Sequence, residues 1–119
     1  MDLFPPAPVR GVRATYARQS SCPSYYGSVV VDFEPWGEGF AFETAKDARL
    51  DPGGWFSPEE VAEFQSALMA GMQKELAALP AETVVAVAVV LHELRTRAVD
   101  SCARAFHEAG RIAVRAALA

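Results

Sequence analysis

Apolar and polar positions change their period along this chain, and the changes mark out its elements. From Gly11 to Gln19, Val12, Ala14 and Tyr16 alternate with Arg13, Thr15 and Ala17, the period of two that a half-buried strand requires. The β-branched run Val29-Val30-Val31, ending at Phe33, predicts a second strand. The turn-like stretch Ser20 to Ser24 lies between them, so the pair reads as an antiparallel hairpin with a loop of about seven residues, longer than most. After a second turn at Pro35 to Gly39, Phe40 and Phe42 mark a short third strand, followed by a polar segment ending in Pro52-Gly53-Gly54.

The period then becomes helical. Val61, Phe64, Leu68, Met72, Leu76 and Leu79 recur at spacings of three and four, one apolar stripe that ends near Pro80. Ser57 suits the cap, Pro58 the first helical position, and Glu60 completes a capping box. Thr83 to Leu91 is almost wholly apolar without alternation, which predicts a central strand covered by helices. From Asp100 to Leu118, Cys102, Phe106, Ala109, Ala113 and Ala116 form a second helical stripe, with Asp100 or Ser101 as its cap. The order β-β-β-α-β-α predicts an α+β two-layer sandwich, a four-stranded sheet with both helices on one face. Residues 1–10, with Pro5, Pro6 and Pro8, read as an extended arm or linker, and residues 11–119 as one domain.

Length and composition narrow the class. A chain of 119 residues, 51% of them hydrophobic, suits a single domain with its own core. The longest apolar run, Val84 to Leu91, is far too short to span a membrane, and Met1 to Val9 lacks a signal peptide's apolar segment. The expectation is a soluble cytoplasmic protein with no membrane partner. Cys22 and Cys102 are too few for a disulfide framework. The net charge of −4 argues against broad electrostatic nucleic-acid binding. Its distribution says more: residues 32–63 hold nine acids against Lys46 and Arg49, whereas residues 1–31 hold Arg10, Arg13 and Arg18 against Asp2. An acidic middle lies between mildly basic ends.

Candidate chemistry is sparse. His92 and His107 have no partners at metal-ligand spacing, so no metal or cofactor is expected. Glu59, Glu60 and Glu63 suit a helix's first turns. No serine, cysteine or carboxylate is visibly matched to a base, and no Gly-x-x-x-x-Gly-Lys-Ser/Thr loop is present, which points away from an enzyme and from GTP binding by this chain.

Three stretches resemble one family. Arg18-Gln19-Ser20, then five variable residues, then Tyr26-Gly27-Ser28-Val29-Val30-Val31-Asp32-Phe33-Glu34-Pro35 is similar to the first hairpin of domain IV of translation elongation factor G. Ala67-Leu68-Met69-Ala70-Gly71-Met72-Gln73-Lys74-Glu75-Leu76 resembles that domain's first helix, and Val99-Asp100-Ser101 with Ala105-Phe106 the start of its second. The matches occur in family order and cover roughly residues 11–117.

The resemblance implies the fold shared with the second domain of a small-subunit ribosomal protein. It also implies an arm that imitates part of a tRNA and reaches the decoding region of the ribosome through two tip loops, here Ser20–Tyr25 and Leu94–Val99. The tip residues it implies are Arg18, Gln19, Ser21, Cys22, Tyr25, Arg95, Arg97, Asp100 and Ser101. The tip also departs from the family. Its loop is Ser21-Cys22-Pro23-Ser24-Tyr25, without glycine, and Arg97 and Ala98 replace the family's histidine and the acid after it. The family's Asp-Gly turn is here Glu93-Leu94. The expectation is a free-standing translation-associated module that binds the ribosome or structured RNA without GTPase activity. The alternative is a repurposed structural or protein-interaction domain, a homodimer or one bound to a partner chain.

Overall fold

The computed structural model describes residues 2–18 and 24–119. Seven elements follow one another: β1 (Asp2–Phe4), β2 (Val9–Arg18), β3 (Tyr25–Pro35), β4 (Gly39–Leu50), α1 (Pro58–Ala77), β5 (Thr83–Arg95) and α2 (Ala103–Leu118). The α+β class and its helical and strand order are as the residue pattern predicts, with one strand more. The arm expected at residues 1–10 joins the sheet at Asp2–Phe4, parallel to Thr83–Val85. Phe4 is the reason: its ring is buried edge-on against Phe33, 5.9 Å between centroids. The strand stops where Pro5 and Pro6 remove two consecutive amide donors.

The unalternating segment predicted to be central is central. β5 pairs antiparallel with β3 on one edge, and parallel with β1 along its first residues and β4 along the rest. β2 completes the hairpin with β3, from Val9↔Phe33 to Arg18↔Tyr25. Gly11, at φ +68, makes the bulge where this register shifts. β4 is longer than the short strand predicted around Phe40 and Phe42, because its polar second half still follows β5 after an irregularity between Thr44 and Arg49. Charge at these positions hid a strand that lies on the sheet's edge, where polar side chains meet water.

Both helices cover one face, over a core of Val29, Val31, Phe33, Val87, Val89 and Leu91 from the sheet and Phe64, Leu68, Met72, Phe106, Ala109 and Ala113 from the helices. The predicted capping box at Ser57 and Glu60 is formed in both directions, at 3.0 and 3.1 Å. α2 lies on β2 and β3, while α1 rests chiefly on α2. The two helices meet where neither has a side chain. A Cβ at Gly71 would penetrate the carbonyl oxygen of His107, and one at Gly110 would penetrate that of Leu68. Glu75 ties the far end of the pair by accepting from Arg111 and Arg115, each at 2.8 Å.

Gly71→Ala therefore meets rigid backbone. The gain in helix propensity, about 1 kcal/mol, is outweighed by overpacking, and a net loss of about 1–3 kcal/mol is expected in urea unfolding. An unchanged midpoint would contradict this contact.

Candidate nucleic-acid interface

The strand order brings the β2–β3 hairpin and the segment between β5 and α2 to the same end of the molecule. That segment is clasped onto β3 at Tyr26. The Tyr26 amide donates to the Asp100 carbonyl at 3.0 Å, and the Ser101 hydroxyl donates to the Tyr26 carbonyl at 2.7 Å. The same hydroxyl accepts from the Arg97 amide at 2.9 Å, closing a turn in which the Asp100 and Ser101 amides both donate to the Arg97 carbonyl. Ser101 is thus a clasp between two segments rather than a helix cap. The N-cap is Cys102, whose side chain makes no capping bond; the serine oxygen expected to cap is engaged by Arg97 and Tyr26 instead.

This clasp sets two arginines on two tyrosines. The Arg97 guanidinium lies 4.1 Å from the ring centroid of Tyr26, and that of Arg104 lies 5.4 Å from Tyr25. Tyr16 extends the row, 6.3 Å from Tyr25 and tilted by 47°. The tyrosines are half-buried and both arginines exposed, so each ring fixes a planar cation by one face and leaves the other to solvent. Exposed Arg18 ends β2 in register with Tyr25.

Of the residues singled out from the sequence, Arg18, Tyr25, Arg97, Asp100 and Ser101 are brought together, Asp100 through its carbonyl. Gln19, Ser21 and Cys22 lie outside the described residues. Arg95 stands apart: it ends β5 and pairs with Glu93 at 3.0 Å, where Arg13 also binds at 3.1 Å. Sequence reasoning missed Arg104 and Asp51. Arg104 lies in the first turn of α2, which has no acid, and a cation there opposes the helix dipole; that misplaced charge was the available signal.

Asp51, buried and at φ +49, holds the other side of the tip segment. Its amide donates to the Leu94 carbonyl at 2.7 Å. Its carboxylate accepts from the Thr96 hydroxyl at 2.7 Å and the Phe56 amide at 2.8 Å. An aspartate before Pro-Gly-Gly was its signal, since short acidic side chains tolerate the left-handed region.

The sheet face away from the helices is a lattice of charge. Arg10 binds Glu34 at 2.7 Å, and Asp32 accepts from the Gly11 amide while bonding His92 Nε2, each at 2.8 Å. Burial would raise the Asp32 carboxyl, but the Gly11, His92 and Arg10 contacts outweigh it and hold it below its ordinary value. Glu93 behaves alike, with burial opposed by Arg95 and Arg13. The Arg10 bond holds Glu34 low against partial desolvation. Among the described residues no three His, Cys, Asp or Glu side chains gather as a metal site, and no helix is long and apolar enough to cross a membrane.

The model of one protein family, elongation factor G, domain IV, matches residues 6–119. A solved crystal structure from Thermus thermophilus has the same fold, with a TM-score of 0.65 at 22% identity over 92% of this chain. The match spans only 15% of that longer chain. No curated protein matches the chain.

Two measurements probe this geometry. Ser101→Ala removes the hydroxyl's bonds to the Tyr26 carbonyl and from the Arg97 amide, leaving the backbone bond between Tyr26 and Asp100. It is expected to cost roughly 1 kcal/mol and to speed amide exchange at Arg97, and unchanged exchange would argue against the clasp. Carboxylates with lowered folded values stabilise the protein above their unfolded values and lose that contribution as pH falls through the folded ones. The unfolding midpoint should therefore decline below pH 4.5, the ordinary glutamate value, and Glu93→Gln should make that decline shallower.

Proposed function

The chain belongs to the elongation factor G domain IV family, and from that premise we propose that its hairpin end binds the ribosome or structured RNA. A single observation carries the reading: Arg97 over Tyr26 and Arg104 over Tyr25, at the end where the β2–β3 hairpin meets the segment entering α2. Guanidinium ions held over aromatic rings offer two things RNA uses, bidentate donation to phosphate and a planar surface on which an unpaired base stacks. The backbone clasp at Ser101 and the anchor at Asp51 fix these groups before contact, so little ordering entropy opposes binding. The module works by shape and charge in the cytoplasm, where translation takes place. It carries out no catalysis itself, and any GTP hydrolysis coupled to it is supplied by another domain or chain.

The family's glycine-rich loop and tip histidine are replaced here, so contact runs through aromatic–arginine pairs instead of close backbone approach. An arginine that stacks is not equivalent to a lysine, and this distinguishes the reading from simple charge attraction. Co-sedimentation with ribosomes across a salt series tests it. Binding should weaken steeply with salt, and Arg97→Ala with Arg104→Ala should lower the logarithmic salt slope by about 2. Replacing both by lysine should restore the slope but not the full affinity. Absence of binding at low salt would remove the proposal.

A further inference from the structure

On the helix-free face the acids of β3 and β5 are matched: Glu34 by Arg10, Glu93 by Arg13 and Arg95, and Asp32 by His92. The pattern breaks at one corner. Ala41 of β4 and Ala88 of β5 are register partners, and Ala88 lies opposite Glu34 of β3. Side chains alternate along a strand, so Glu43 shares this face with Ala41, and Trp36 follows the end of β3 with its amide donating to the Ala86 carbonyl at 2.9 Å. The two alanine methyls floor a depression of about 140 Å³ lined by Trp36, Ala41, Phe42, Glu43 and Ala88. Trp36 is 58% exposed, and no described residue forms an ion pair with Glu43.

The strand beside the depression is an open edge. β4 pairs with β5 and with no other described strand, so its outer side presents backbone donors and acceptors to solvent. Edge strands are usually defended by lysines and irregularities. In β4 these stand in the second half: the register shift between Thr44 and Arg49, with Lys46 inside it. The first half, Phe40 to Thr44, keeps one register and carries one charge, Glu43.

We propose that this corner docks an extended, Lys/Arg-rich segment of a partner protein, its backbone added to the outer edge of β4 and one cationic side chain laid in the Trp36–Glu43 depression. An indole and a carboxylate lining one depression with two alanines is a chemistry that selects a cation: the ring attracts the charge, the methyls accept the aliphatic stem and the carboxylate receives the head group. Strand addition supplies main-chain hydrogen bonds, and the depression supplies specificity. Charge complementarity favours the same occupant, since Glu38 and Glu43 flank this corner and neither forms an ion pair among the described residues, which attracts a basic peptide and repels a phosphate backbone. The site shares no residue with the hairpin end and does not depend on the RNA reading.

The test is calorimetric titration of the chain with a short synthetic peptide alternating arginine and valine, against a control alternating glutamate and valine. The arginine peptide should bind and change tryptophan fluorescence in the unmodified chain but not in Trp36→Ala, which keeps Trp55, and the glutamate peptide should do neither. Glu43→Lys and Trp36→Ala should each weaken binding by roughly fivefold, the scale of one partly exposed cation–π or ion-pair contact. Ala41→Leu should weaken it similarly by filling the depression. All three positions are exposed or half-exposed, and circular dichroism confirms that each variant is folded. Arg97→Ala should leave peptide binding unchanged. No binding by the unmodified chain overturns the proposal. So does equal binding by Ala41→Leu, which would reduce the attraction to diffuse charge.

Discussion

α1 and α2 meet backbone against backbone at Gly71 and Gly110, and the position of everything on α2 follows from it. Helices that meet through side chains sit roughly 8–10 Å apart by axis; two glycines let carbonyls replace side chains at the crossing. The contact is reciprocal, with Gly71 facing the His107 carbonyl and Gly110 facing that of Leu68, so sliding either helix along the other breaks both. A third glycine continues the constraint onto the sheet: a Cβ at Gly27 would lie 3.2 Å from the Phe106 ring. The start of α2 is thereby pinned over the beginning of β3, and Arg104 and Ser101 stand beside Tyr25 and Tyr26 as a consequence. Packing in the core sets where Arg104 stands, and the Ser101 clasp within the loop sets Arg97.

Charge is sorted by region. The hairpin end carries exposed arginines without carboxylate partners in the described contacts, while the acids are drawn to the flank of β4 and the start of α1. Between them the open face of the sheet is neutralised pair by pair. A domain with a modest net charge can in this way present surfaces of opposite preference.

Much of this was legible in the residues and some was not. The capping box at Ser57 and Glu60, the stripe from Val61 to Leu76 and the unbroken run from Thr83 to Leu91 each obey a local rule, and each formed as read. The strand at Asp2–Phe4 did not announce itself, because three residues have no measurable period and only the distant Phe33 explains why Phe4 is buried. The second half of β4 was hidden by edge-strand polarity. Ser101 was seen but given the wrong partner: its local chemistry suits a cap, and only the tertiary neighbour Tyr26 offers it a better one. Arg104 and Asp51 gain their meaning from elements far away in the chain, which no window of adjacent residues contains.

β5 has one further consequence. Its 13 residues, at about 3.3 Å each, run about 43 Å, close to the 44 Å longest dimension of the molecule. One strand of nearly that length runs from Thr83 to Arg95, the residue before the tip segment. It is held along both edges by rows of hydrogen bonds. A force applied at the tip along this strand strains those rows in shear, all at once, rather than peeling them open one by one. The domain is in that direction a stiff mechanical strut, able to transmit a push between its ends with little internal give.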